Sequence, residues 1–279
     1  MVRYITGVNN KAVQAVAHEH SIGLLVTPDT ARSLTRHIAG YPFWAADNAC
    51  FNHPEDFDAD KYLAWLSTFP LEQRSSCLFA PAPDVVGDAV KTLERSAPVL
   101  PLIRSLGFKA ALVAQDGLEN LTVPWDELDV LFIGGSTEWK LSPAARELSA
   151  EAKRRGKRIH MGRVNSFKRL KIADDFGCDT ADGTYLAFGP TINLPRLLGW
   201  LNQLSASGQP SPDVTECLIM TGKELKRMRE RAELSQAALA VLAEIHPRTI
   251  MRWELGQVPI PRLEALGLVA LFGSLKGKK

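Results

Sequence analysis

Short apolar runs alternate with helical patterns from the first residues to about position 205, and this alternation restricts the fold more than any other feature of the chain. Strand-like runs are expected at Arg3–Val8, Ser21–Val26, Phe43–Phe51, Ser76–Ala80, Lys109–Gln115, Val130–Gly134, Arg158–Gly162 and Cys178–Asp182. Helical patterns lie between most of them, at 10–20, 31–39, 56–68, 88–106, 143–155 and 166–176, and a last one follows at 194–204. The stretch from Asp116 to Asp129 is too short and proline-broken for a good helix. Strands that alternate with helices imply a parallel sheet, and eight repeats favour an α/β (β/α)8 TIM-like barrel over an open doubly wound sheet.

The remaining residues are of another kind. Ser205-Ala-Ser-Gly-Gln-Pro-Ser-Pro-Asp213 is a Ser/Gly/Pro stretch of linker composition. The expected division is therefore a barrel over 1–205, a linker over 206–215 and a small all-α domain over 216–279. The chain's net charge of +2 is unevenly spread: the last 64 residues hold 11 Lys and Arg against 7 Glu, an excess of +4 that leaves −2 on the rest. A basic C-terminal module suits a polyanionic partner. Cys50, Cys77, Cys178 and Cys217 show no metal-ligand spacing, so neither a disulfide framework, a metal site nor a cofactor is expected. No apolar run reaches membrane-spanning length and the start lacks a signal-peptide pattern, which predicts a cytoplasmic protein with no membrane partner.

In a parallel barrel the C-terminal ends of the strands carry the site. The residues expected there are Asp47-Asn48, Asp84, Gln115-Asp116, Gly134-Gly135, Met161-Gly162-Arg163 and Asp179 with Asp182. Asp179 and Asp182 could equally be loop-capping residues, since Asp bonds readily to its own backbone. A pocket rich in carboxylates and amides fits a neutral ligand with many donors. A guanine-like base is one, because its N1–H and exocyclic amine both donate to a carboxylate. Gly134-Gly135 lacks the spacing of a dinucleotide-binding loop.

Five segments together carry a resemblance: Ala46-Asp-Asn-Ala-Cys-Phe51, Leu112-Val-Ala-Gln-Asp-Gly117, Ile133-Gly-Gly-Ser136, His160-Met-Gly-Arg-Val164 and Gly177-Cys-Asp-Thr-Ala-Asp182. In that order they resemble the active-site motifs of the guanine transglycosylases, barrel enzymes that exchange guanine for a 7-deazaguanine in nucleic acid. The resemblance implies Asp182 as nucleophile and Asp47 as general acid/base. It further implies Asp84 and Gln115, with Asn48 beside them, at the base edge, Gly134 and Gly135 as the backbone platform, and Phe51 and Met161 as the apolar faces around the base. Asn48-Ala49-Cys50 stands where the family has Ser-Gly-Gly, and the zinc-binding Cys and His cluster of tRNA-modifying members is missing. The chain looks most like the shorter phage and mobile-element members that act on DNA, and Arg163 is expected to hold a phosphate.

The tail resembles the helix-turn-helix of the Cro and phage-repressor family through Leu234, Ser235, Gln236, Ala238, Leu239, Ala240, Thr249, Ile250, Trp253, Glu254 and Gly256, departing at Glu244, where Gly is usual. Helices are expected at 222–231, 235–243, 246–256 and 261–272. Arg248 and Arg252, four apart and on one helical face, are placed to read bases with Thr249, and Gln236 to contact a phosphate. The expected activity is exchange of guanine in DNA with a free 7-deazaguanine as co-substrate. A deazapurine-sensing transcriptional regulator, an enzyme acting on RNA and a nucleoside hydrolase are the alternatives, and a homodimer is left open.

Overall fold

The computed structural model describes residues 1–29, 35–50, 57–207, 221–232, 234–243, 245–258, 260 and 268. The chain divides into two compact units, Met1–Pro210 and Ser211–Lys279. No helix among the described residues is long and apolar enough to cross a membrane.

The first unit is a barrel of eight parallel strands: β1 Arg3–Thr6, β2 Ile22–Val26, β3 Trp44–Ala46, β4 Ala80–Pro81, β5 Ala110–Ala114, β6 Val130–Ile133, β7 Arg158–Met161 and β8 Thr180–Asp182. Their order, β3-β2-β1-β8-β7-β6-β5-β4, is the chain order closed on itself. Closure is completed by a parallel bridge between Trp44 and Cys77. There the Leu78 N–H donates to the Trp44 carbonyl at 2.8 Å and the Ala46 N–H to the Phe79 carbonyl at 3.0 Å. An open sheet would leave β3 and β4 as edges, so the doubly wound alternative does not hold.

Strand periodicity sorts the core into two layers. Ile5, Phe43, Ala45, Phe79, Ala111 and Val130 fill the barrel interior, while Tyr4, Leu24, Trp44, Leu112, Leu131, Ile133, Ile159 and Ala181 join the outer core with the helices. The helices are α1 Lys11–Ala17, α2 Ala59–Ser67, α3 Leu71–Ser76, α4 Ala89–Ser96, α5 Leu100–Ser105, α6 Thr137–Lys140, α7 Pro143–Arg154, α8 Phe167–Asp175 and α9 Pro190–Ser207. Side-chain oxygens of Asn10, Asp58, Asp88, Ser136, Ser142 and Ser166 accept from the first helical turns and set where the helices begin.

Several expected spans are corrected. The single helix expected over 88–106 is two, because Pro98 between α4 and α5 has no N–H to continue the ladder. The third strand spans only Trp44–Ala46 rather than 43–51, and of the fourth expected run Ser76 ends α3 and only Ala80 belongs to the strand. A 3₁₀ helix at Thr35–Gly40 occupies the end of the helical pattern at 31–39, whose residues 31–34 lie outside the described ones. The proline-broken stretch after β5 holds a single 3₁₀ turn, Leu118–Asn120.

The second unit contains α10 Gly222–Arg231, α11 Gln236–Leu242 and α12 Pro247–Glu254. Thr221 and Glu224 form a reciprocal capping box on α10, Ser235 caps α11 and His246 caps α12. Leu225, Leu239, Ala240, Ile250, Trp253 and Leu268 form its core. Nearly all of the helix expected over 261–272, and Glu244 in the turn, lie outside the described residues.

Arg229 ties this unit together. Its Nε and Nη2 donate to the two Glu254 carboxylate oxygens at 2.6 and 2.9 Å, and its Nη1 donates to the Leu234 carbonyl at 2.9 Å. The Glu254 side chain is only 3% exposed. Breaking a buried pair by removing one charge costs about 3–5 kcal/mol, a large share of what a module this small can hold. Glu254→Gln is therefore expected to unfold the C-terminal unit alone. The check is the backbone amide spectrum of the full chain, in which signals of residues 222–258 should collapse to unfolded positions while barrel signals stay.

Candidate functional site

A cavity of about 420 Å³ opens at the C-terminal ends of the strands. It brings together Asp47 and Asn48 after β3, Asp84 after β4, Gln115 after β5, Gly134 and Gly135 after β6, Arg163 after β7, and Asp182 at the end of β8. Leu25, Val113 and Phe132 supply apolar wall between these groups. Ala49 and Arg163 adopt positive φ, both +58°, a left-handed backbone that is uncommon for residues with a side chain. Phe51 lies outside the described residues.

The base-edge residues are bonded to one another. Asn48 Nδ2 donates to Asp84 Oδ1 at 3.0 Å and to the Ala82 carbonyl at 2.9 Å, while its Oδ1 accepts from the Cys50 N–H at 3.0 Å. Gln115 Nε2 donates to Asp84 Oδ2 at 2.6 Å, and its Oε1 accepts from the N–H groups of Gly87 and Gly135. Asn48 is thus occupied in holding Asp84. The carboxylate of Asp84 has accepted two of the roughly four bonds it can take. Burial pushes the Asp84 carboxyl up against the pull of the two amides.

The Gly134 and Gly135 N–H groups are both used within the barrel, by the Ala114 carbonyl and Gln115 Oε1. What the pair offers the cavity is a surface without side chains. At Gly135, with φ +61°, a Cβ would come within 2.5 Å of the Trp139 ring and 2.8 Å of Asp116 Oδ2. Asp116 itself holds this turn, accepting from the N–H and hydroxyl of Ser136 at 2.6 Å each. Arg163 donates to the Gly135 carbonyl, tying two rim loops together.

The two candidate catalytic carboxylates differ in setting. Asp47 accepts from the Ala49 N–H at 2.7 Å. Burial, and then the neighbouring carboxylates Asp182 and Asp84, push it up to about 6 despite that bond. Asp182 Oδ1 stands 3.0 Å from His160 Nε2, and His160 Nδ1 stands 2.8 Å from Thr180 Oγ1. Asp179 belongs to the opposite end of β8. Its Oδ2 accepts from Lys153 Nζ at 2.8 Å and from the Ile159 N–H at 2.7 Å, which makes it a structural tie between β7, β8 and α7.

Met161 is corrected. It is fully buried in the outer core and absent from the cavity lining, because alternation along β7 turns His160 and Gly162 inward and Met161 outward. His160 and Thr180 were missed, although the same period-2 count along β7 and β8 places both on the inner face with Asp182. Asn165, whose Oδ1 is buried with no partner among the described residues, also lines the cavity. Lys140 was missed as well: it is fully buried on α6, and its Nζ donates to the Gly162 carbonyl at 2.7 Å. No periodicity marks a lysine for burial.

In the second unit Arg248 and Arg252 are exposed on α12, with Thr249 partly exposed between them, while Ile250 and Trp253 point into the core. Gln236 Nε2 donates one of its two hydrogens to Glu254 Oε2 at 2.8 Å, joining α11 to the Arg229 pair and fixing the amide at the start of the helix. The spacing of exposed arginines over buried apolar residues is that of a recognition helix. Comparison with known families matches residues 222–271 to a helix-turn-helix domain. The C-terminal unit is a helix-turn-helix DNA-binding domain.

No curated protein matches the chain. Among solved structures, a 4-hydroxy-2-oxoglutarate aldolase aligns at 14% identity over 74% of this chain and 92% of its own, with a TM-score of 0.46. A 3-hexulose-6-phosphate synthase aligns at 9% identity over 72% and 99%, with a TM-score of 0.44. Dihydrodipicolinate synthase from Oceanobacillus iheyensis aligns at 11% identity over 95% and 78%, with a TM-score of 0.28. None of these is a guanine transglycosylase.

The placement of Asp179 separates it from the cavity. Asp179→Asn keeps an acceptor oxygen but loses the charge facing Lys153, at a cost of about 1 kcal/mol for so exposed a pair. A small drop in the urea midpoint is expected, with unchanged ligand binding and chemistry at the cavity.

Proposed function

We propose that the barrel exchanges guanine in DNA for a 7-deazaguanine, and that the helix-turn-helix domain brings the enzyme to duplex DNA. The observation that carries this reading is the convergence of Asp47, Asp84, Gln115 and Asp182 on one cavity. An acid raised toward neutrality, a second carboxylate and a donor-accepting edge are what base exchange at a sugar requires. A base stacked inside the duplex must first be extruded.

In the first half-reaction Asp182 attacks C1′, the bond from C1′ to guanine N9 breaks, and Asp47 supplies the proton that leaves with guanine. The product is a glycosyl ester of Asp182. In the second half-reaction N9 of the incoming base attacks C1′, its proton passes to Asp47, and the Asp182 carboxylate departs. Asp84 faces the donor edge of either base. Metal and cofactor take no part in this proposal.

Incubation with DNA, labelled guanine and 7-deazaguanines tests it directly. Labelling of DNA with retention of its backbone is expected; labelling of tRNA instead, or free base released without exchange, would refute it. Asp182→Asn should abolish both exchange and any covalent protein–DNA adduct, since an amide cannot form the ester. Asp47→Asn should slow both half-reactions by about 10²–10⁴-fold and leave a residual rate.

The shift on Asp47 fixes a pH dependence. Guanine release needs the protonated acid, so its single-turnover rate should fall as pH rises through about 6. Return of the incoming base needs the ionised form and should rise over the same interval. Asp47→Asn should flatten both limbs.

A second reading rests on the helix-turn-helix domain itself, a common component of regulators. In that reading the cavity senses a deazapurine and needs no nucleophile. Operator binding that responds to the base and survives Asp182→Ala would favour it over base exchange.

A further inference from the structure

We propose that His160 and Thr180 position Asp182 for attack, with His160 as a neutral imidazole that carries its proton on Nε2. This rests on the base-exchange reading and adds to it a residue pair that neither touches C1′ nor reaches the base.

His160 is fully buried and Thr180 is 4% exposed. The imidazole lies between the rings of Phe79 and Phe132, with centroid distances of 4.7 and 4.4 Å, so its plane is set by packing. Its two nitrogens meet two oxygens of different character. At Nε2 stands a carboxylate oxygen, Asp182 Oδ1 at 3.0 Å, which only accepts when ionised. At Nδ1 stands the Thr180 hydroxyl at 2.8 Å, which can donate. With Asp182 ionised, Nε2 must bear the proton. Nδ1 is then left as an acceptor, and it takes the hydrogen of a buried hydroxyl that makes no other side-chain bond among the described residues. For the neutral ring this chain, Thr180 O–H to Nδ1 and Nε2–H to Asp182, satisfies every atom in one arrangement. The opposite tautomer would set a nitrogen lone pair against the carboxylate.

The consequence for Asp182 is directional. Its Oδ1 is held from behind, and Val164 N–H donates to its backbone carbonyl at 2.6 Å, so the side chain is fixed at both ends. Oδ2 becomes the attacking oxygen and Oδ1 the carbonyl oxygen of the ester. When the incoming base displaces the ester, negative charge returns to the carboxylate and the Nε2–H bond strengthens with it. The same bond thus orients the nucleophile in one half-reaction and stabilises the leaving group in the other. No proton leaves His160 in either step.

The experiment uses the full chain and a DNA oligonucleotide containing guanosine, with the incoming base withheld and adduct formation followed in time. His160→Phe, which fills the same apolar slot, should lower the rate constant for adduct formation about 10²-fold while leaving the DNA concentration at half-saturation unchanged. His160→Gln, whose amide can donate from the Nε2 position, should recover part of the loss. Thr180→Val, of the same shape, should be impaired, and Thr180→Ser, which loses a methyl but keeps the hydroxyl, should be active.

Nitrogen-15 spectra of the histidine ring give a readout that does not require activity: at neutral pH His160 should show the Nε2–H form, and Asp182→Ala should shift that proton upfield. A proton on Nδ1 of the neutral ring, an imidazolium, or adduct formation at the wild-type rate in folded His160→Phe would each overturn the proposal. Absence of adduct with the wild-type protein would instead refute base exchange, and the ring spectra would still decide the arrangement of His160.

Discussion

The register of short parallel strands decides everything the cavity can do. Ile5 stands opposite Asp182 between β1 and β8, and His160 stands opposite Thr180 between β7 and β8. Because side chains alternate, a slip of one residue in either ladder would carry Asp182 into the outer core and bring Ala181 to the cavity. Backbone pairing, not the site's own polar contacts, therefore sets which groups meet. The apolar outer core enforces it, since Tyr4, Ile133, Ile159 and Ala181 are all completely buried there.

That enforcement carries an electrostatic burden. Asp47, Asp84 and Asp182 share one cavity, and Lys140 is buried beneath its rim. Burial, followed by the nearby Arg163, lowers the Lys140 ammonium to about 7. The two shifted groups act on stability in opposite directions. Asp47, raised in the folded state, weighs on the fold above about pH 6 and is relieved as pH falls. Lys140, lowered in the folded state, weighs on it below about 7 and is relieved as pH rises toward its unfolded value. At neutral pH both costs are therefore borne nearly in full, since relief for Asp47 lies below about pH 6 and relief for Lys140 above about 7. A hydrogen bond from Lys140 to the Gly162 carbonyl keeps the residue useful to the loop that carries Arg163.

Much of this was legible in the chain. Eight apolar runs with intervening helices were enough to place Asp47, Asp84, Gln115 and Asp182 at one end of a barrel, because parallel strands share a direction. Details that depend on contacts distant in sequence were not. The break between α4 and α5 was signalled by Pro98, but the length of β3 depends on where Cys77 and Leu78 meet it. Met161 was misplaced by following the motif instead of the alternation, and His160 was overlooked for the same reason. The bond from Gln236 to Glu254, eighteen residues away, was not legible either. Arg248 and Arg252 needed only helical spacing, and their exposure follows from it.

The junction between β3 and β4 is the thinnest part of the wall. Here β4 is two residues long, and two backbone hydrogen bonds, from Leu78 and from Ala46, join the lips, beside the Asn48 side chain bonded across to Ala82 and Asp84. Each contributes about 1 kcal/mol net, whereas whole domains unfold at about 5–15 kcal/mol. The stacking of Trp44 on Phe69, with centroids 4.7 Å apart, braces the junction from outside. Parting of these lips costs less than loss of the barrel, and amide hydrogens along this line are expected to exchange with solvent before those of β5 to β7. Asp47 follows one lip and Asp84 the other. Opening at this seam would alter the spacing between the acid and the base edge only once the Asn48 bonds to Ala82 and Asp84 break, with Asp182 across the barrel on β8.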